Sequence, residues 1–159
     1  MDFSRTLVGI PAGIVSTFVM DGFAILMGVS GMIRLQGHAA VPVLLGRWIL
    51  GVPRSGALIR DLKNCAPIQG EIKACWTAHY LIGAMLGLFY GSLGETGWRA
   101  GAVFGAVTCL LPWLVLFPAV GFGLFGNRTP VQTSLLVAST SNHLVYGAAL
   151  GLLTDGLRF

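Results

Sequence analysis

Four stretches of this chain, residues 6–33, 74–93, 100–125 and 131–153, each hold the roughly twenty or more residues that a span needs, with hardly a charge among them. An α-helix rises ~1.5 Å per residue, so each is long enough to cross the roughly 30 Å hydrocarbon layer of a bilayer. In a chain of 159 residues these windows leave room for little else. The expected fold is therefore an all-α integral membrane protein, a four-helix transmembrane bundle that forms one domain over residues 1–159. Composition agrees, with 10% of residues charged against roughly 25% in soluble domains. So few charges cannot coat a surface that faces water. The N-terminal run in MDFSRTLVGIPAG outlasts a signal h-region and shows no small-residue cleavage site, so the first span is expected to remain in place.

The windows also sort the basic residues. Arg34, Arg47, Arg54, Arg60, Lys63 and Lys73 fall in the connection 34–73, and Arg128 lies between the third and fourth spans. Arg5, Arg99 and Arg158 fall on the other side. The positive-inside rule places both connections in the cytoplasm and both termini outside. A net charge of +4 dispersed in this way calls for a lipid bilayer as partner and not for nucleic acid.

Inside the connection, VPVLLGRWILGV is apolar on both sides of Arg47. Residues 41–52 are expected to form an interfacial or re-entrant helix, with Arg47 snorkelling to headgroups and Trp48 at the membrane boundary. A fifth span is disfavoured, because a central Arg costs about 2.5–3.5 kcal/mol on insertion and Pro42 and Pro53 bound the run. The remainder, PRSGALIRDLKNCAPIQGE, reads as a cytoplasmic loop with a short helical turn.

An internal repeat connects the second and fourth spans. AHYLIGAMLGLFYG and NHLVYGAALGLLTDG share HxxxGAxLGL without a gap, which aligns His79 with His143, Gly83 with Gly147 and Gly87 with Gly151. The first and third spans agree less closely, through Gly13 with Gly105. Both matching spans run in one direction, so the pattern is a parallel repeat of two helical hairpins about an axis along the membrane normal. Such an axis could bring His79 and His143 face to face. Small residues recur at helical spacing: Gly83, Gly87 and Gly91, then Gly147 and Gly151, with Gly9 and Gly13 and Gly101 and Gly105 on the other spans. GxxxG spacing lets helix backbones approach closely in lipid. It serves contacts within the bundle or, alternatively, a homo-oligomer or a membrane partner protein.

Polar residues within such spans are costly and so point to a site. Asp21, His79, His143 and Asn142 stand out, with Tyr80 and Tyr146 beside the histidines. Asp21 should face the bundle. Three readings compete. In the first, Asp21 accepts hydrogen bonds from the histidines and from Ser16 or Thr17, and the cluster is structural. In the second, Asp21, His79 and His143 hold a transition metal, or the paired histidines hold haem. In the third, Asp and His relay protons in a small transporter or channel. The tyrosine hydroxyls either bond to Asp21, line a polar cavity or simply pack.

Pro112 and Pro118 should kink or break the third span, Arg128 should cap its last carbonyls, and Thr129-Pro130 should turn the chain into the fourth. Cys65, Cys75 and Cys109 form no metal or redox spacing and read as packing residues. There is no G-x-S-x-G, HExxH, Walker or dinucleotide motif, so no catalytic residue is assigned. The function classes left are a ligand- or proton-binding membrane protein, a non-catalytic scaffold or assembly subunit and, more remotely, an enzyme acting on lipid or quinone.

Several of these segments occur together: MDGFA, LLGRW, P-x-x-GE, W-x-AHY-x-IG, FPAVGFG, NRTP and HLVYG. Jointly they resemble a family of small four-span bacterial inner-membrane proteins known only as a domain of unknown function. The resemblance covers nearly the whole chain and implies four spans in the bacterial inner membrane, with Asp21, His79 and His143 at matching positions. The family often carries a glutamine before the proline matching Pro118, where this chain has Phe117, so a role for that amide does not transfer. The resemblance implies no activity.

Overall fold

The computed structural model describes residues 3–32, 41–55, 62 and 65–156, with side chains over 6–32, 43–53, 62 and 65–156. Its elements are α1 (Phe3–Val29), α2 (Val41–Ser55), α3 (Glu71–Leu93), α4 (Trp98–Thr108), a π-helical turn (Pro112–Leu116), α5 (Phe117–Ala119), a 3-10 turn (Leu124–Gly126) and α6 (Gln132–Gly156). No strand occurs among the described residues. Four helices are long and apolar enough to cross a membrane: Thr6–Val29, Glu71–Leu93, Trp98–Ala119 and Gln132–Gly156. The apolar part of α2, Val43–Pro53, is too short. Arg34, Arg60, Lys63 and Arg158, the side chains of Arg5 and Arg54, and residues 56–61, 63 and 64 of the loop expected before α3 lie outside the described residues.

Span boundaries differ from the windows for local reasons. The first helix stops at Val29 because Gly31 adopts a left-handed conformation (φ 72°), with the Ser30 and Gly31 N–H groups closing on Leu26 O and Gly28 O. The third stops at Ala119, short of residue 125, where positive φ angles at Gly121 and Gly123 reverse the chain. Its expected interruption falls at Cys109, whose N–H bonds to Ala106 O three residues back. Beyond it, Pro112 has no N–H to donate and would crowd a regular turn. The helix widens there, and the Phe117 N–H reaches Pro112 O five residues back. Arg128, expected to cap this helix with its charge, donates its backbone N–H to Phe122 O.

The chain divides into two compact units. The first comprises Met1–Met32, Tyr80–Cys109 and Ala138–Phe159, and the second Ile33–His79 and Leu110–Val137. A conventional apolar core occupies the second: Leu44, Leu62, Phe117, Val120, Phe122, Val131 and Leu135, with Trp48 and Trp113 packed against it. Phe117 is buried in this core with its ring edge-on to Phe122.

The first unit is held differently. Its apolar cluster is small, namely Ala12, Tyr90, Tyr146 and Leu150, and glycine supplies much of the remaining contact. A Cβ on Gly9 would strike Gly87 O, and one on Gly13 would strike Gly83 O. On the other helix pair, Gly101 lies against Gly147 O, Gly105 against His143 O and Gly151 against Gly97 O. The backbones come close enough for the Gly97 N–H to bond to Gly151 O at 3.1 Å, from one helix to the next. Gly13 and Gly101 each face a glycine carbonyl of the neighbouring helix, Gly83 O and Gly147 O. Large apolar side chains meanwhile face outward, including Phe18 at 70% exposure, Ile25 at 67% and Val103 at 66%. Water would oppose that surface and lipid would not.

Candidate functional site

Each polar side chain singled out within the spans has a definite place. In the first unit, α1 runs beside the Tyr80-to-Leu93 part of α3, and one turn beyond the contact of Thr17 with Gly83 the Tyr80 hydroxyl donates to Asp21 Oδ2 at 3.0 Å. Asp21 is half-buried. Ser16 and Thr17 do not serve it: their hydroxyls donate back to Ala12 O (2.7 Å) and Gly13 O (2.8 Å) within α1. Tyr146 does not reach it either. Its hydroxyl crosses from α6 to donate to Gly83 O at 2.7 Å, the same carbonyl that lies under Gly13.

The second polar pair belongs to α4 and α6. Thr108 Oγ1 lies 2.8 Å from His143 Nδ1 and 2.8 Å from Gly105 O. A threonine hydroxyl has one proton, and a carbonyl can only accept. All three groups are satisfied only if Nδ1–H donates to Oγ1 while Oγ1–H donates to Gly105 O. That arrangement corresponds to the Nδ1–H tautomer of His143. Next to it, Asn142 Oδ1 is buried with no hydrogen-bond partner among the described residues. The Cys109 thiol lies near Gly105 O and Ser139 O, so it is enclosed between backbone carbonyls of α4 and α6.

The metal centre expected at Asp21, His79 and His143 is not formed. No group of three His, Cys, Asp or Glu side chains able to hold a metal occurs among the described residues. Asp21 instead accepts from Tyr80, His143 Nδ1 lies against Thr108, and His79 sits edge-on to Trp76 of its own helix at a ring separation of 6.0 Å. Of the proposed packing glycines, Gly83, Gly87, Gly147 and Gly151 lie in the close helix contacts, and Gly91 is partly buried near the end of α3.

In the second unit, Arg47 departs from the headgroup-facing role expected of it. It is 6% exposed, and its Nε and Nη2 donate to Glu71 Oε2 (2.7 Å) and Oε1 (2.9 Å). Its Nη1 donates to Leu62 O (3.1 Å) and Cys65 O (2.8 Å), while the Ile68 N–H completes the carboxylate at 2.9 Å. The bidentate fork to Glu71 raises the guanidinium pKa above its ordinary value, although burial acts in the opposite sense. Gly46 permits the approach, as a Cβ there would overlap Glu71 O and the Cys75 backbone. LLGRW and P-x-x-GE are therefore two halves of one clasp joining α2 to α3, with Trp48 packed on the apolar core beside it. Glu71 and Thr108 were missed in the sequence; the one available signal was a lone carboxylate at the head of an apolar helix in a chain with so few charges.

Fold and site together define a small all-helical protein with four membrane-length helices and hydrogen-bonded ionisable side chains within at least three of them. Neither the curated proteins nor the solved structures gave a match. The chain belongs to the family described as Protein of unknown function (DUF2938), whose family model matches residues 10–157.

Proposed function

We propose that the protein is a four-span protein of the bacterial inner membrane that exchanges protons at Asp21 and His143 while binding a small polar solute. The observation that carries this reading is the run of polar contacts from His143 Nδ1 through the Thr108 hydroxyl to Gly105 O, which places an imidazole in a hydrogen-bonded setting within a membrane-length helix. The Asp21 carboxylate is held in the same manner by a phenol. A proton can enter or leave either group without dismantling its contact, because a hydroxyl both donates and accepts. Asn142 Oδ1, a buried acceptor, suits a solute that carries a donor. Exposed apolar side chains on the long helices support the membrane setting, and the excess of Arg and Lys in the connection 34–73 supports its cytoplasmic orientation with periplasmic termini. The equivalent glycine contacts of the α1–α3 and α4–α6 pairs support a parallel duplication of one hairpin.

A scaffold reading, in which the same groups only fasten helices together, is favoured by the Tyr146 to Gly83 O bond. Purified protein in liposomes with an imposed pH gradient separates the two. Wild-type protein should collapse the gradient faster than empty liposomes, and Asp21→Asn and His143→Gln should abolish the excess while keeping helical content. Absence of wild-type flux, or full flux in Asp21→Asn, leaves the scaffold reading standing.

A further inference from the structure

The loop that follows the third membrane-length helix encloses an open cavity of about 250 Å³ lined by Pro118, Gly123, Leu124, Asn127 and Arg128. We propose that this cavity binds the phosphate of an anionic glycerophospholipid headgroup, with Arg128 as its main ligand and Asn127 as its second. A water molecule takes up roughly 30 Å³, so the space suits a headgroup and not merely a solvent molecule.

The loop is built to hold these two side chains. Gly123 has φ 75°, and a Cβ there would strike Asn127 Oδ1 and the Arg128 stem, so both side chains lie across its bare Cα. Backbone bonds fix the turn: Gly126 N–H to Gly123 O, Asn127 N–H to Leu124 O, Arg128 N–H to Phe122 O and Thr129 N–H to Gly126 O, all between 2.8 and 3.1 Å. Phe125 carries a left-handed φ of 53°, which costs a non-glycine residue about 1–2 kcal/mol. It is held by Gln132 Nε2 on its carbonyl at 3.2 Å and by Trp113 against its ring at 5.6 Å.

The occupant follows from the chemistry. A guanidinium matches phosphate through parallel N–H donors. Free phosphate would supply the same acceptors, but the lining also includes Pro118 and Leu124, and Leu124 and Phe125 present apolar edges at 54% and 40% exposure. The loop joins Ala119, where one membrane-length helix ends, to Gln132, where the next begins, and on the membrane reading above this is headgroup level. Arg128 there meets the negative surface potential of an anionic leaflet.

Delipidated protein in detergent, titrated with phosphatidylglycerol or phosphatidylcholine and followed by native mass spectrometry, tests this. Both lipids present a phosphodiester to Arg128, but the fixed cation of choline neutralises it and repels the guanidinium, so phosphatidylglycerol should bind about tenfold more tightly than phosphatidylcholine. Arg128→Gln should remove that preference, Arg128→Lys should keep part of it, and Asn127→Ala should weaken it a few-fold, each with an unchanged thermal midpoint. A preference that survives Arg128→Gln overturns the proposal, as does displacement of the lipid by equimolar inorganic phosphate. Asp21→Asn should leave the lipid preference intact, and a requirement for detergent in extraction checks the membrane reading separately, so failure of either part of that reading is distinguishable from failure of this site.

Discussion

Replacing Arg47 with methionine removes four hydrogen bonds together: two to the Glu71 carboxylate, one to Leu62 O and one to Cys65 O. The carboxylate would keep only the Ile68 N–H among these partners, in surroundings where the Arg47 and Glu71 side chains are 7% and 10% exposed. Breaking a buried pair from one side costs about 3–5 kcal/mol, chiefly because the remaining charge stays desolvated. The loss should appear as release of α2 from α3, which uncovers Cys75, now 1% exposed with its Cβ against Gly46. If alkylation follows the opening equilibrium, Cys75 should react faster by roughly two to nearly four powers of ten, at 1.4 kcal/mol per decade. A Cys65→Ser, Cys109→Ser background makes Cys75 the single reporter, since the chain has three cysteines. The double variant Arg47→Met, Glu71→Gln should recover much of the protection, because no charge is left without its partner. Equal Cys75 reactivity in wild type and Arg47→Met, or additive damage in the double variant, would refute the reasoning.

Three further outcomes follow from the first unit. Gly13→Ala places a methyl on Gly83 O and should lower the thermal midpoint in detergent, whereas Gly22→Ala meets nothing within 4 Å and should raise stability by about 0.5–1 kcal/mol. Tyr146→Phe should cost about 0.6 kcal/mol, and at most ~1.7, in the same assay by leaving Gly83 O without that donor. In ¹⁵N-labelled protein at neutral pH, His143 should show its proton on Nδ1; Thr108→Val should shift the tautomer toward Nε2, and an Nε2–H form in the wild type would contradict the hydroxyl chain.

The membrane-length helices were legible because hydrophobic length is a local property of the chain. The site was legible as a set of residues and not as an arrangement. Aligning HxxxGAxLGL makes His79 and His143 equivalent in sequence, but equivalence under a pseudo-axis does not fix how far each helix is rotated, and no metal group forms from Asp21, His79 and His143. Thr108 carried no signal because one hydroxyl in AVTCLL looks like any small helix residue. Arg47 was read by its cost in lipid, which was sound, but the carboxylate that offsets the cost stands 24 residues away, across a segment without periodicity.

The clasp also bears on the order in which the chain can settle. Its hydrogen-bonding groups are those of Arg47, Leu62, Cys65, Ile68 and Glu71, while the apolar core of the same unit draws on residues as late as Leu135. A growing chain that has reached residue 75 already holds everything needed to neutralise its two buried charges. Contacts of such short sequence separation close before distant ones. The most polar part of the connection thus becomes fit for an apolar setting while Phe117 to Leu135, which complete the core of the same unit, have yet to be synthesised.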